Sequence, residues 1–358
     1  MMLHGMVPSR REAQDGKVAG GRALGGRGAS RRVRRRRRGL LAAAVLLLAV
    51  GTWRLSAGGG GHATVPPGPG TALAARTDAK RPAAGAARAS PRRTAVGPHV
   101  SVSPTPAATS GWTTVASVYG RPAAWLEQAG GVTLMRFDQR YVHLTLHTGS
   151  IDGGVAGWTY GDQITPREIH LVVAAFNGGF KLTYSNVGFM SGGRVAVALK
   201  RGLASIVTYT DGTTAIGAWQ NGVPTARKTV FSVLQNQSLL VDRGVAAANL
   251  STCVLGCWGA TIRSLTVVAR SGLGITAGGQ LVWAAGEHLS PAGLASALVG
   301  AGVVRAVELD INPDWVAGYL YVHHATGPVA SPVVPGQLGI AGQLLAPDSR
   351  DFMAIVAN

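Results

Sequence analysis

The stretch VTLMRFDQRYVHLTLHTG, residues 132–149, carries the pattern that decides the fold class. Apolar and polar side chains alternate in 132–138 and again in 141–149, and a short turn separates the two runs. Successive side chains of an extended strand point to opposite faces, so this alternation is typical of β-strands with one buried face. Residues 132–149 therefore predict two strands.

The same signals recur along the chain. ASIVTYTDGTTAIGAW, residues 204–219, places Asp-Gly between two strand-like runs, which predicts a β-hairpin. SLTVVARSGLGITAGGQLVWAAG, residues 264–286, predicts two more strands around glycine-rich turns, and VRAVELD, residues 304–310, predicts a further strand.

One helix is clear in the sequence. Ser290 is a good N-cap, Pro291 suits the first helical position, and the helix is expected to close on Gly302. Many strands that do not alternate strictly with helices predict an α+β fold with strand-rich mixed sheets and few helices. The 248 residues of 111–358 are enough for one globular domain with a sizeable core.

The charge of the chain is unevenly distributed. Residues 1–110 hold 19 Lys and Arg against 3 Asp and Glu, whereas residues 111–358 hold 15 against 13. The net charge of +18 therefore belongs to the N-terminal part, and the predicted domain is nearly neutral. Nucleic-acid binding requires a basic surface on the folded module, so we expect no nucleic-acid partner.

The arginines RRVRRRRR, residues 31–38, precede the fifteen uncharged residues GLLAAAVLLLAVGTW. A basic leader (1–38) before an apolar run (39–56) predicts a signal anchor or a signal peptide, with the arginines on the cytoplasmic side. The long leader and the lack of an A-x-A cleavage site favour the anchor. We therefore expect an extracytoplasmic domain that is single-pass membrane-anchored through 39–56, or secreted if the signal is cleaved.

Residues 57–110 consist mainly of Ala, Gly, Pro, Ser, Thr and Arg. A segment with so few large apolar side chains cannot bury enough surface to offset the entropy lost on ordering. We predict that it is a disordered linker between the anchor and the domain.

The chain has two cysteines, Cys253 and Cys257, in the segment TCVLGCWG. A metal site or a redox pair is one possibility for such a pair. However, zinc requires further ligands, and the three-residue spacing differs from the two-residue spacing of the usual redox motif. In an exported chain, a local disulfide between Cys253 and Cys257 is the prediction.

The segment AAFNGGF, residues 174–180, ends an apolar run with two glycines. Asn-Gly is a strong turn signal, so one interpretation is a plain turn. The other is that the backbone N–H groups of Gly178 and Gly179 face a negatively charged ligand, with Asn177 and Lys181 beside it.

Two further segments hold candidate site residues. In the segment IRS, Arg263 either extends to solvent or uses its guanidinium group to bind a phosphate or carboxylate. In AVELDINPDWV, Glu308, Asp310 and Asn312 alternate along a predicted strand that Pro313 should end. The alternative for this second segment is a strand followed by an Asx-type turn.

The order AAFNGGF, IRS, Ser-Pro helix and ELD resembles the phosphodiester glycosidase domain family, from about Val132 to the C-terminus. In that family an Asp followed by glycines and serines forms the last motif. Here the segment reads LDINPDW, so Asp310 matches the family's Asp, while Asn312, Asp314 and Trp315 replace its neighbours.

The resemblance implies a hydrolase that cleaves the glycosidic C1–O bond of a sugar-1-phosphodiester in a cell-envelope or secreted glycan. It implies Asp310 as the catalytic carboxylate, with Glu308 as second choice and Asn177 in an orienting role. The expected substrate-binding residues are Gly178, Gly179, Lys181, Arg263, Ser264, Asn312 and Trp315.

Trp258 is a second candidate for stacking on a sugar ring. We expect no cofactor, although a divalent cation stays open. The INPDW replacement keeps a second hypothesis in view, namely a non-catalytic domain that binds a carbohydrate or a polyanion.

Overall fold

The computed structural model describes residues 98–103, 111–152, 157–185, 187–339 and 343–358. The predicted leader, the predicted anchor and most of the predicted linker lie outside these residues. Among the residues described, none of the helices combines the length and the apolar character needed to cross a membrane.

The described chain forms twenty strands, three α-helices and two short 3-10 helices. The first ten strands are β1 Val100–Val102, β2 Thr113–Val118, β3 Arg121–Ala129, β4 Val132–Phe137, β5 Val142–His147, β6 Val172–Asn177, β7 Phe189–Ser191, β8 Arg194–Val197, β9 Ala204–Tyr209 and β10 Thr214–Trp219. The other ten are β11 Gly222–Val223, β12 Val230–Gln235, β13 Leu239–Asp242, β14 Val245–Ala246, β15 Val268–Thr276, β16 Leu281–Leu289, β17 Val303–Glu308, β18 Gly318–His324, β19 Gly327–Pro332 and β20 Phe352–Ala357. The α-helices are α1 Leu182–Ser185, α2 Val254–Cys257 and α3 Pro291–Gly300, and the 3-10 helices are Ile262–Ser264 and Gln343–Leu345.

The strands form three sheets. The first has nine strands in the order β1-β2-β3-β4-β16-β15-β17-β13-β14, and the second has six in the order β11-β10-β9-β12-β7-β8. The third has five strands in the order β19-β18-β6-β20-β5. The predicted strand-rich α+β fold in one globular region is therefore confirmed.

The predicted elements are present. Residues 204–219 form the antiparallel hairpin β9–β10, and β15 pairs antiparallel with β16. Helix α3 begins at Pro291, and the Gly293 N–H donates to the Ser290 hydroxyl at 3.0 Å, as expected of an N-cap. The two strands of 132–149 also form, but β4 belongs to the first sheet and β5 to the third.

The predicted linker of 57–110 extends too far towards the domain. Val100–Val102 forms strand β1, which pairs antiparallel with β2 at one edge of the first sheet. The prediction of disorder is therefore wrong for these residues. They have too little apolar surface to order alone, but the open edge of β2 supplies hydrogen-bond partners for their backbone.

The main core lies between the first and third sheets. Phe137 and Trp283 of the first sheet contact Phe176 of the third, with ring centroids 6.2 and 5.3 Å apart. On the other side of the first sheet, α3 buries Leu294 and Leu298. The two packed sheets hold their strand ends in fixed positions, and the candidate site lies at these ends.

Candidate active site

The candidate site lies where strands of the first and third sheets end side by side. Asn177 is the last residue of β6, and Asp310 follows the end of β17 by two positions. The Asn177 side-chain N–H donates to the Ser271 hydroxyl at 2.9 Å, and the Ser271 backbone N–H donates to the Asp310 carbonyl at 3.0 Å. Ser271 of β15 therefore connects the two strand ends and brings Asn177 close to Asp310.

A small cavity of about 30 Å³ opens at this place. As it stands, the cavity has room for about one or two water molecules. Its lining combines predicted site residues with residues that the sequence did not single out. They are Asn177, Gly178, Gly179, Asp310, Asp314, Trp315, Ala317, Tyr319, Leu344, Arg350, Asp351 and Phe352.

Asp310 is a buried carboxyl group with both oxygens engaged. Its Oδ1 accepts hydrogen bonds from the N–H groups of Ile311 and Asn312, at 2.7 and 2.9 Å. Its Oδ2 accepts from Nη2 of Arg350 at 3.1 Å. Burial raises the pKa of Asp310, and Arg350 and the two N–H groups oppose this rise. The Asx-type turn weighed for this segment is therefore present, and it fixes the carboxyl group.

Arg350 supplies the guanidinium group of the site. Its Nε donates to Asp152, and its Nη2 donates to the Gly179 carbonyl at 2.8 Å as well as to Asp310. The guanidinium carbon lies 5.2 Å from the ring centroid of Trp315. These contacts hold the cation rigidly at the cavity wall.

Asp351 occupies the two N–H groups that were predicted to face an anionic ligand. The Gly178 N–H donates to the Asp351 carbonyl at 3.0 Å, and the Gly179 N–H donates to Oδ2 of Asp351 at 2.9 Å. A Cβ atom on Gly178 would lie 1.9 Å from that carboxyl oxygen. The first glycine is thus required by the close approach of Asp351, and the N–H groups serve the fold rather than a ligand.

The segment that contains Arg263 and Ser264 does not reach the cavity. Both residues are exposed, lie in the short 3-10 helix and have positive φ angles of 61° and 55°. Strand β15 begins only at Val268, so the strand predicted within residues 264–286 starts after this exposed turn. Arg263 and Ser264, predicted to bind the ligand, are not part of the cavity lining, and the guanidinium group at the cavity belongs to Arg350.

Glu308 is also placed away from the cavity. Its side chain is fully buried, and its Oε1 accepts from Nη1 of Arg270 at 2.6 Å. Burial raises the pKa of Glu308, while the Arg270 guanidinium lowers it. Glu308, predicted as a second catalytic carboxylate, is therefore part of a buried ion pair and does not line the cavity.

The remaining predicted binding residues differ in position. Lys181 is half-buried and directly precedes α1, and it is not part of the cavity lining. Asn312 accepts the Asp314 N–H on its side-chain oxygen at 3.0 Å and forms a second Asx turn. Trp315 lines the cavity, whereas Trp258 is fully buried in the core and cannot stack on a ligand.

Sequence reasoning missed Arg350, Asp351 and Asp152. A signal was present in APDSRDF, where charged side chains directly precede the apolar run FMAIVA of β20. Like Asn177, Arg350 and Asp351 lie at the end of a buried strand, where functional residues are often found. Asp152 gave no such signal, because it joins the site only through its contact with Arg350.

Within the described residues, no group of three His, Cys, Asp or Glu side chains is arranged to hold a metal ion. The carboxylates of Asp152 and Asp310 have Arg350 as their shared counter-ion. The predicted disulfide between Cys253 and Cys257 is confirmed, with Cα atoms 5.4 Å apart.

Neither a protein-family model nor a curated protein matches the sequence. Among solved structures, the chain is similar to the catalytic domain of zebrafish N-acetylglucosamine-1-phosphodiester alpha-N-acetylglucosaminidase auto-inhibited by its pro-peptide. That likeness has 13% identity and a TM-score of 0.40, and it covers 74% of this chain and 89% of the other. A hypothetical protein from Synechocystis matches with 13% identity and a TM-score of 0.37, over 74% of this chain and 69% of the other. Both likenesses concern the fold alone, and at these TM-scores nothing about function follows from them.

Proposed function

We propose that this protein is an extracytoplasmic hydrolase that cleaves the glycosidic C1–O bond of a sugar-1-phosphodiester in a cell-envelope or secreted glycan. One observation carries the proposal: Asp310, Asn177 and a guanidinium group line one cavity at the ends of buried strands. The order of the three sequence motifs, which resembles that of phosphodiester glycosidases, adds to it.

The cation of Arg350 stabilises the leaving phosphate. When the C1–O bond breaks, negative charge develops on the bridging oxygen, and fixed donors in an enclosed site lower the energy of that charge. The bonds to Asp152, Asp310 and Gly179 use Nε and Nη2. The two N–H groups on Nη1 are outside these bonds and serve the phosphate.

Asp310 acts on the sugar side of the broken bond. Its ionised carboxylate stabilises the positive charge that develops at C1 and accepts a proton from the attacking water. The side-chain oxygen of Asn177 is buried and has no hydrogen-bond partner among the described residues, so it accepts a sugar hydroxyl. The ring of Trp315 stacks on the sugar face.

The extracytoplasmic location in this proposal is supported by the Cys253–Cys257 disulfide, since disulfides persist in oxidising compartments. The basic leader and the apolar run of 39–56 also support it, with 39–56 as the membrane anchor.

The test uses the full-length protein and a sugar-1-phosphodiester with an aryl phosphate leaving group. We expect release of free sugar, and Asp310→Asn should lower kcat by about 10²-fold or more, because the carboxylate is lost. Asp211→Asn is the matched control, since Asp211 is exposed and pairs with Lys228 on the surface. Equal activity of wild type and Asp310→Asn would contradict the proposal.

A second candidate function is a non-catalytic domain that binds carbohydrate. The engagement of the Gly178 and Gly179 N–H groups by Asp351 favours it, because these amides are not free to bind a phosphate. Calorimetric titration with the same diester distinguishes the two functions. Binding without any release of sugar would establish the binding domain.

A further inference from the structure

Asp351 is the most enclosed carboxyl group of the cavity lining. Its Oδ2 is held by the Gly179 N–H at 2.9 Å. Its Oδ1 is buried and has no hydrogen-bond partner in the described part of the chain. The nearest cationic atom, Nη2 of Arg350, lies 3.9 Å from Oδ1, which is too long for a hydrogen bond. One oxygen is thus fixed, and the other is left for a group inside the cavity.

The charges around Asp351 do not balance. Arg350 is the cation that faces it, and Arg350 already donates to Asp152 and Asp310. Tyr319 and Asp314 are the other titratable groups of the lining. With one cation among three carboxyl groups, keeping all three ionised is unfavourable. A proton therefore binds the carboxyl group whose negative charge is least stabilised by neighbouring donors and cations.

Burial raises the pKa of Asp351 to about 7, and the negative charges of Asp152 and Asp310 add to the rise. The Arg350 charge and the Gly179 N–H act in the opposite direction. Asp351 and Asp310 therefore differ in what holds them. Two backbone N–H groups and a guanidinium group stabilise the ionised form of Asp310, whereas a single N–H group holds Asp351.

We propose that Asp351 is the proton-donating carboxyl group of the site and that Asp310 is its ionised partner. The assignment rests on the proposed glycosidase function. As the C1–O bond breaks, its electron pair goes to the bridging oxygen, which receives the proton from Oδ1 of Asp351. The water oxygen bonds to C1, and its proton passes to Asp310. The products are free sugar and a phosphate monoester, and solvent then returns both carboxyl groups to their starting states.

Asp351→Asn is the main variant. Asparagine keeps the size of the side chain, and its oxygen can still accept the Gly179 N–H, so the turn should keep its shape. Asp152→Asn is the matched control, because Asp152 also contacts Arg350 but does not line the cavity. Both are compared with wild type as full-length proteins.

The substrates are two diesters of the same sugar phosphate, one with an aryl and one with an alkyl alcohol. A proton donor matters more for the poorer leaving group. The departing group is the phosphate monoester in both diesters, and the alkyl phosphate is only slightly the poorer leaving group. Asp351→Asn should therefore lower kcat/KM about 10²-fold for the alkyl diester and a few-fold less for the aryl diester. The wild-type kcat/KM should fall as pH rises through about 7, because the reactive form is protonated, and Asp351→Asn should lose this fall. Asp152→Asn should lower kcat/KM for both diesters by the same factor, and its kcat/KM should still fall as pH rises through about 7.

Infrared titration of the carboxyl C=O band gives a readout that needs no substrate. Burial also raises the pKa of Glu308 to about 7, so the wild type should lose two protonated-carboxyl signals near neutral pH. Asp351→Asn should lack one of the two and keep that of Glu308. If Asp351→Asn is active and keeps the wild-type pH profile and the wild-type ratio of kcat/KM for the two diesters, Asp351 is not the proton donor. The proposed function would stand in that case. A wild type that shows both signals but never releases sugar would overturn the proposed function, and with it the proton transfer.

If Asp351→Asn does not fold, the pH dependence of the wild-type kcat/KM tests the assignment. In that case a kcat/KM for the alkyl diester that stays constant between about pH 6 and 8 would overturn the assignment.

Discussion

At the scale of single residues, the cavity is defined by side chains far apart in the sequence. Asn177 and Asp310 close two strands, and Arg350 and Asp351 precede a third. The two acids are held by different donors although they face the same guanidinium group. Such differences between neighbouring carboxyl groups separate acid from base in enzyme sites.

The two adjacent glycines of the site differ in the space available for a Cβ atom, so substituting each by alanine gives a matched pair. A Cβ on Gly178 would lie 1.9 Å from Oδ2 of Asp351, whereas a Cβ on Gly179 would lie 3.4 Å from the Leu234 side chain. We expect Gly178→Ala to lower the free energy of unfolding by about 1–3 kcal/mol or more, because a buried carboxyl group must move. Gly179→Ala should change it much less. Urea unfolding measures both, and equal effects would contradict the close approach.

Glu168 should make the free energy of unfolding depend on pH in the acid range. It accepts hydrogen bonds from Thr145 and Thr165 at 2.7 and 2.6 Å and contacts His147 at 3.3 Å. Burial acts to raise the pKa of Glu168, but the contacts with His147 and Thr165 outweigh it and lower the pKa to about 2.

Because the folded pKa lies below the unfolded one, Glu168 stabilises the fold above about pH 4.5 and loses this contribution as pH falls towards 2. The loss amounts to about 3 kcal/mol. Glu168→Gln should flatten the fall in unfolding free energy between these pH values, as measured by urea unfolding. The exposed Asp242→Asn is the control, and a Glu168→Gln curve parallel to the wild type would refute the assignment.

The sequence predicted part of the site for a physical reason. Asn177 and Asp310 interrupt apolar runs, so their position at strand ends is visible in the local pattern. Which cation accompanies them is not local, because the ends of β17 and β20 meet only through the packing of two sheets. Arg263 stood in the right motif order, yet its backbone turns at positive φ and leaves it on the surface.

At the scale of secondary-structure elements, β15 and β17 are joined by a buried ion pair. Arg270 of β15 donates to Glu308 of β17 at 2.6 Å and to the Trp258 carbonyl at 3.0 Å. Trp258 directly follows the disulfide-bonded Cys257. The pair thus links the disulfide segment to the strand that ends two residues before Asp310.

We expect Glu308→Leu to lower the free energy of unfolding by about 3–5 kcal/mol, because it leaves the Arg270 charge buried without a counter-ion. The double variant Arg270→Met, Glu308→Leu should recover most of the loss, since neither charge then remains. Urea unfolding of the single and double variants is the measurement. A double variant no more stable than the single one would show that packing, not charge, dominates at this position.

The elements themselves could be predicted more completely than their partners. Alternation fixes which face of a strand is buried, and Asp-Gly or glycine-rich turns identify local hairpins such as β9–β10. Neither signal identifies which strand pairs with another strand that is distant in sequence. Strands β4 and β5 follow one another, yet β4 pairs with β3 and β16 while β5 pairs with β20. Short runs such as Val100–Val102 order only because an open sheet edge is next to them.

At the scale of the whole molecule, stability should be unevenly distributed. Strands β6 and β20 are buried along their whole length and lie inside the third sheet, whereas β8 is an edge strand with exposed side chains. Amide hydrogen exchange should therefore be slowest in β6 and β20 and much faster in β8, because central strands open only on global unfolding. Similar protection in β8 and β20 would contradict this sheet order.

Strand β20 lies between β5 and β6, although both are translated long before it. Until Phe352–Ala357 leave the ribosome, β5 and β6 each lack a neighbour, and Arg350 and Asp351 are not yet in place. The third sheet can therefore close only after β20 has been synthesised. A nascent chain that stops before Phe352 would therefore have neither the complete third sheet nor the cavity that its strand ends form.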